Sequence, residues 1–172
     1  SYGCLIGSYA RDKDAVSATV ALCEAAAYYK MQGKTLWDAM LDMFEKYGYY
    51  LDGIKAFDLA GLEGLAKIQR MMTYFRENVP EKIGDATVLS VRDYQADTIV
   101  DLKTKEVRPT GLPASNVIYY DCDDNTWICV RPSGTEPKIK FYFYTKQDSR
   151  EEALAVNAKI KKAVLDIVNA IE

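Results

Sequence analysis

Residues 116–145, which read NVIYYDCDDNTWICVRPSGTEPKIKFYFYT, decide the fold of this chain. The stretch contains three runs rich in β-branched and aromatic residues, at 116–122, 126–130 and 138–145. The turn Asp123-Asp124-Asn125 separates the first two runs, and the loop 131–137 separates the last two. Connections this short favour antiparallel pairing, because parallel strands need a crossover of about a dozen residues or more. The stretch therefore predicts the centre of an antiparallel sheet.

The segments on either side extend this sheet and supply helices to cover it. Further strands are predicted at 49–57 and 86–94, whereas 97–115 is left open between a short strand and a loop. Asp58 is predicted to cap a helix whose apolar residues repeat at helical spacing, namely Leu62, Leu65, Ile68, Met72 and Phe75. Ser149 and Glu152 form a capping box for a C-terminal helix with a second apolar stripe. The prediction is an α+β domain, a mainly antiparallel sheet covered by two helices.

The N-terminal part of the chain has a different, purely helical pattern. Asp12 and Asp14 are predicted to cap a helix that runs to about Lys30, with a buried stripe of Val16, Val20, Cys23 and Ala27. Thr35 is predicted to start a second helix, with Asp38 as its capping-box partner. Two helices with no preceding strand do not make a domain. Residues 1–47 are therefore predicted to be a helical remnant of a neighbouring domain, and 48–172 a separate domain.

Composition excludes several classes of function. The chain has 172 residues, 22 Lys+Arg, 25 Asp+Glu, a net charge of -3, four Cys and no His. Without histidine there can be no Ser-His-Asp or Cys-His machinery and no His-ligated zinc. The acidic balance argues against a nucleic-acid partner. The cysteines form no CxxC pair, and neither a signal peptide nor a membrane-spanning run is present. We therefore expect reduced cysteines, no membrane partner and a cytoplasmic protein.

The loop 131–137 has a composition suited to an anion. Arg131 offers a planar fork of donors, the hydroxyls of Ser133 and Thr135 can donate to oxygens, and Gly134 allows close approach of backbone N–H groups. Lys140 adds a second positive charge in the next strand. On composition alone, a phosphate-binding loop and a solvated hairpin loop bracketed by prolines are equally well supported. No nucleophile is paired with a base here, so the loop is interpreted as a binding site and no catalytic residue is assigned.

The same loop carries a family resemblance. The stretch RPSGTEPKIK at 131–140 resembles the phosphate-binding loop of the α-D-phosphohexomutases, the phosphoglucomutase and phosphomannomutase superfamily. Two other segments, 1–3 and 10–15, are similar to the end of the family's sugar-binding loop and its following helix. A weaker likeness at 47–50 matches the link into the last domain. The resemblance thus covers essentially the whole chain.

This resemblance implies a place in a larger enzyme. Members have four domains, which implies that 1–47 is the tail of the third, α/β domain and 48–172 the fourth. It implies that Arg131, Ser133, Gly134 and Thr135 contact the substrate phosphate, with Lys140 where some members have an arginine. Ser1 would be the last serine of the sugar-binding loop. The parent enzyme would be an intramolecular phosphotransferase that interconverts hexose 1-phosphate and hexose 6-phosphate with Mg²⁺.

The departures from the family pattern define what the chain is expected to lack. It contains neither the Ser-His motif of the phosphoserine loop nor the Asp-rich Mg²⁺ loop, so we expect it to bind no metal and to be inactive alone. Its expected partners are a phosphorylated hexose and the missing N-terminal domains of the parent. Two alternatives stay open. One is a non-catalytic sugar-phosphate-binding or interaction module. The other is a nucleic-acid-binding sheet that uses the aromatics of 127 and 141–144.

Overall fold

The computed structural model describes residues 3–171, and the chain divides into two compact units, 1–47 and 48–172. The first unit contains the helices α1 (Ala15–Met31) and α2 (Leu36–Tyr47). Ser1, which the sequence predicts as a sugar-binding residue, lies outside the described residues.

Helix α1 begins where the sequence predicts but buries no stripe. The carboxylate of Asp14 accepts hydrogen bonds from the backbone N–H groups of Val16 (3.0 Å) and Ser17 (3.3 Å), which confirms this cap. The predicted buried stripe is wrong, since Val16 is 74% exposed and no residue of α1 is buried. The physical reason is that apolar side chains surround α1 on all sides, so one neighbouring helix cannot cover them.

Helix α2 has the predicted capping box. The side chain of Asp38 accepts from the backbone N–H of Thr35 (2.8 Å), and the hydroxyl of Thr35 accepts from the backbone N–H of Asp38 (3.1 Å). Only Ala39 is buried within α2. Gly48, which follows the helix, has a φ of 100°, the left-handed conformation that favours glycine at a helix C-terminus.

The second unit contains one sheet and two helices. The strands are β1 (Tyr49–Asp58), β2 (Lys82–Ile83), β3 (Ala86–Asp93), β4 (Thr98–Asp101), β5 (Val107–Arg108), β6 (Ile118–Cys122), β7 (Trp127–Pro132) and β8 (Lys138–Gln147). The helices are α3 (Gly61–Glu77) and α4 (Arg150–Ala170). The strands pair in the order β1-β8-β7-β6-β3-β4-β5, with β2 paired to β3, and every pairing is antiparallel. The predicted α+β class is confirmed.

The helix starts in this unit differ from one another. At α4, the hydroxyl of Ser149 accepts from the backbone N–H of Glu152 (3.2 Å), as the sequence predicts. At α3, the predicted cap is wrong, because Asp58 is still part of β1 and Ala60 occupies the N-cap position without a side-chain hydrogen bond. Asp58 instead forms an ion pair with Lys138.

Both helices pack on one face of the sheet and enclose its core. Buried and partly exposed side chains alternate along β8, and its residues Ile139, Phe141 and Phe143 are fully buried beneath the helices. From α3, Phe75 packs among them, and its carbonyl accepts a 2.5 Å hydrogen bond from the buried hydroxyl of Tyr120. The core is therefore a helix layer on a sheet layer, which is sufficient for a domain of this size.

The opposite face of the sheet, which we call the open face, carries no helix in the described part of this unit. Its central side chains are half-buried by one another. The ring of Trp127 stacks between Tyr119 and Tyr144, at centroid distances of 5.2 Å on each side. Arg92 lies over the ring of Tyr119 and pairs with Asp121 at 2.8 Å. The open face is thus a surface of stacked aromatic rings and charged groups.

Two substitutions on α3 compare a residue that is buried in the core with one that its spacing wrongly assigned to the core. We expect Phe75→Ala to lower the free energy of unfolding by about 3–5 kcal/mol, because it leaves a cavity in the core. Leu62, assigned to the same stripe by its spacing, is 86% exposed, so Leu62→Ala is expected to change it by about 0.5 kcal/mol or less. Denaturant unfolding of both variants measures the difference, and equal losses would contradict this packing.

Candidate functional site

The loop predicted to bind an anion lies between two paired strands. Arg131 and Lys140 are register partners on β7 and β8, and Pro132 pairs with Ile139 directly beside the loop. Beyond them, the backbone N–H of Ser133 donates to the carbonyl of Lys138 at 2.7 Å. The strands therefore hold both ends of residues 133–137, and only this short segment is free of the ladder.

Two positive side chains occur together at this end of the open face. Arg131 and Lys140 are directly opposite each other across the strand pair, on the face away from the helices. Neither side chain has an ion pair or hydrogen bond within residues 3–171. Like charges on cross-strand neighbours are destabilising by themselves. Their placement supplies uncompensated positive potential that an anion would neutralise.

The hydroxyl of Ser133 organises the loop from within. Its oxygen accepts from the backbone N–H of Thr135 (3.4 Å) and of Glu136 (3.2 Å), a local side-chain-to-backbone turn. Because the oxygen acts as acceptor in both bonds, its own O–H is left to donate outward. The Gly134 backbone at the tip is exposed, and a Cβ placed there would meet no heavy atom within 4 Å.

A third cation near the loop is already neutralised. The ammonium of Lys138 lies 3.0 Å from the carboxylate of Asp58 and 3.5 Å from that of Glu136. The hydrogen bond to Asp58, together with both negative charges, raises the pKa of Lys138. In addition, the backbone N–H of Leu59 donates to the carbonyl of Pro137 at 2.9 Å. These contacts fasten the loop to the end of β1 and leave Arg131 and Lys140 as the cations available to a ligand.

The predicted site residues border two separate depressions. Ser133, Gly134 and Thr135 line a cavity of about 450 Å³ together with the start of α3. Arg131 lines a different groove of about 470 Å³ on the open face. Lys140, on β8, lies directly opposite Arg131 on β7. The structure thus keeps the five residues in one region but divides their side chains between two sides of the loop.

The groove beside Arg131 contains residues that sequence reasoning did not assign to the site. It is lined by Tyr94, Leu112, Pro113, Ser115, Val117, Tyr119, Cys129, Arg131 and Tyr142. The period-two alternation of β8 could have identified Tyr142, because it lies two residues from Lys140 and so on the same face. The contribution of Leu112, Pro113 and Ser115 could not be found this way, since these residues lie in a segment without helical or strand periodicity.

The part of the chain that the structure describes has neither a metal cluster nor a membrane-spanning helix. Within 3–171, no group of three or more His, Cys, Asp or Glu residues could hold a metal ion. In the same part of the chain, no helix combines the length and apolar character required to cross a bilayer.

Comparison with known proteins identifies sequence relatives. A profile described as phosphoglucomutase/phosphomannomutase, C-terminal domain, matches residues 76–162. A phosphoglucomutase of Staphylococcus aureus strain MRSA252 is 38% identical over 161 residues, which cover 93% of this chain and 29% of that protein. The corresponding protein of strain USA300 is 37% identical over the same shares. The chain therefore spans less than a third of the length of these relatives.

A solved structure shares the fold. Parafusin, an exocytosis-sensitive phosphoprotein of Paramecium that is described as a phosphoglucomutase, was crystallised in its open form. It aligns with a TM-score of 0.55 and 19% identity over 94% of this chain and 28% of the parafusin chain. At this identity the likeness concerns the fold alone.

The reactivity of the cysteines provides a chemical test of the burial of Cys122 and of Cys129, which lines the groove. Burial raises the pKa of Cys129 to about 11 and that of Cys122 to about 12, so both are protonated at neutral pH. Cys4 and Cys23 are exposed. We expect Cys122 and Cys129 to react with Ellman's reagent at least about tenfold more slowly than the exposed pair, because the thiolate is the reactive form. The kinetic phase that disappears in the Cys129→Ser variant is the one that belongs to Cys129. Equal reaction rates for all four thiols would contradict the burial of Cys122 and Cys129.

Proposed function

The chain belongs to the phosphoglucomutase/phosphomannomutase family through its C-terminal domain, and we propose that it is the C-terminal part of an enzyme that interconverts hexose 1-phosphate and hexose 6-phosphate. The expected family resemblance is confirmed by the profile match and the sequence relatives. The chain spans 29% of the length of those relatives, so the activity is proposed for the longer parent. The observation that supports a phosphate-binding role is that Arg131 and Lys140 face each other across two paired strands. Within residues 3–171, neither side chain forms an ion pair or a hydrogen bond.

In this proposal, the region holds the phosphate that is not reacting. Arg131 supplies two parallel N–H donors to phosphate oxygens, and Lys140 adds a second charge from the facing strand. The outward O–H of Ser133, the backbone N–H of Gly134 and the hydroxyl of Thr135 border the neighbouring cavity. They would complete the contacts of a phosphate that lies at the loop, between the two depressions. Each charge-assisted hydrogen bond contributes about 1.5–3 kcal/mol. The catalytic contribution is positioning and charge neutralisation, since a rigid strand pair holds the donors before the substrate arrives.

The phosphoryl-transfer groups are proposed to belong to the rest of the parent. When bound there, Mg²⁺ would stabilise the charge of the transferring phosphoryl group. Residues 3–171 offer no cluster of His, Cys, Asp or Glu that fits this ion. We propose that the isolated chain has no mutase activity, that its partners are the parent's preceding domains and a phosphorylated hexose, and that the parent is cytoplasmic.

Arg131→Ala tests the phosphate assignment directly. We expect kcat/KM of the full-length parent for hexose 1-phosphate to fall by about 30- to 150-fold, which is the loss of about 2–3 kcal/mol of a charge-assisted contact. Lys159→Ala is the matched control and should leave kcat/KM unchanged, because this cation belongs to α4 and is already paired with Asp85. A normal kcat/KM in the Arg131 variant would remove the assignment.

Gly134→Ala separates binding from folding. The added Cβ meets no heavy atom within 4 Å, and the φ of Gly134 is not in the left-handed region, so we expect the free energy of unfolding to fall by no more than about 0.5 kcal/mol. The same methyl group would stand where an anion approaches the loop amides, and weaker binding of inorganic phosphate is expected. Calorimetric titration and denaturant unfolding measure the two effects, and unchanged phosphate affinity would argue against amide contacts.

A further inference from the structure

We propose that Tyr142 is the platform for the sugar ring of a hexose phosphate whose phosphate is held at Arg131. This inference rests on the proposed function and extends it from the phosphate to the rest of the ligand. The observations that carry it are the register of two strands, the lining of the open-face groove and the free ring of Tyr142.

The register brings Tyr142 next to the cation pair. Cys129 pairs with Tyr142, and Arg131 pairs with Lys140, so Arg131 and Tyr142 are diagonal neighbours on the same face. Diagonal neighbours in an antiparallel pair are about 7–8 Å apart at the backbone, within reach of aromatic and long side chains. Consistent with this, both residues line the open-face groove. A phosphate bound at Arg131 would therefore have the ring of Tyr142 beside its ester oxygen.

The groove has room and chemistry for more than a phosphate. Its volume is about 470 Å³, of which a phosphate fills only a fraction. The walls combine apolar surface from Leu112, Pro113 and Val117 with hydroxyl groups from Ser115 and three tyrosines. A hexose presents an apolar C–H face and an edge of hydroxyls, and such mixed walls complement both. Arg131 supplies the charge complementarity that orients the phosphate end.

Of Tyr119 and Tyr142, the two groove tyrosines that lie on strands, Tyr142 has the ring that no other ring or cation of residues 3–171 covers. Tyr119 is covered by Trp127 on one side, at 5.2 Å, and by the guanidinium of Arg92, at 4.9 Å. Within residues 3–171, the ring of Tyr142 contacts no other aromatic ring and no cation. A half-buried ring without a stacking partner, beside two unpaired cations, is a suitable surface for one face of a sugar.

The test compares the binding of glucose 1-phosphate and of inorganic phosphate to the full 172-residue chain. Each ligand is titrated separately, and the amide chemical shifts near Gly134 are followed by NMR. We expect Tyr142→Ala to weaken glucose 1-phosphate by about threefold to tenfold and to leave inorganic phosphate unchanged, because only the sugar contacts the ring. Tyr142→Leu, which keeps apolar bulk in the strand, gives the same comparison if the alanine variant does not fold. Tyr50→Ala, a tyrosine on the same face outside the groove, should alter neither ligand.

The controls distinguish this inference from the function on which it rests. Arg131→Ala is expected to weaken both ligands. If it weakens neither, the proposed phosphate site fails. If it weakens both while Tyr142→Ala weakens neither, or both equally, the phosphate site stands and the sugar platform is overturned. Phenyl phosphate binding more tightly than glucose 1-phosphate would also overturn it, because the groove would then select an aromatic ring.

Discussion

The second unit depends on the alternation of strand β8, in which every other side chain is fully buried. Ile139, Phe141 and Phe143 face the helices α3 and α4, and each is at most 1% exposed. Because side chains in a strand alternate between faces, Lys140 and Tyr142 have to point to the open face. A shift of one residue would expose the core and bury a lysine, which makes the register costly to change. The position of the candidate site follows from this hydrophobic constraint.

This constraint also explains why the site is preorganised. Arg131 and Lys140 are on central strands that are paired on both sides, and the loop between them is only five residues long. Loop contacts from Ser133 and Lys138 restrict it further. A ligand would therefore meet donors that lose little conformational freedom on binding. The remaining unfavourable element is the repulsion between two neighbouring cations, and an anion removes it.

Local patterns predicted most of the secondary structure and missed details that depend on packing. The strands around 49–57, 86–94 and 116–145 and the cap at Ser149 all appear in the structure. Asp58 was expected to cap α3, but β1 pairs with β8 along its whole length and retains that residue. Residues 97–115 contain two short strands, of which β4 pairs with β3 and β5 pairs with β4, so their assignment depends on tertiary pairing. Leu62 and Leu65 have helical spacing with the core residues, yet they are 86% and 47% exposed and line the cavity beside the loop instead of the core.

By itself, the sequence determined the antiparallel centre of the sheet and the two covering helices, and it predicted an anion-binding loop within residues 131–140. Local sequence patterns are enough to predict these features, namely the alternation of apolar residues, their spacing and the types of hydrogen-bond donor. None of them depends on contacts between distant parts of the chain. Only the tertiary structure decided that Ser133, Gly134 and Thr135 border one cavity while Arg131 borders another, and that Tyr142 and the 112–117 segment join Arg131 in a groove. Strand register and the path of an irregular loop bring those residues together, and both are settled by burial over the whole sheet.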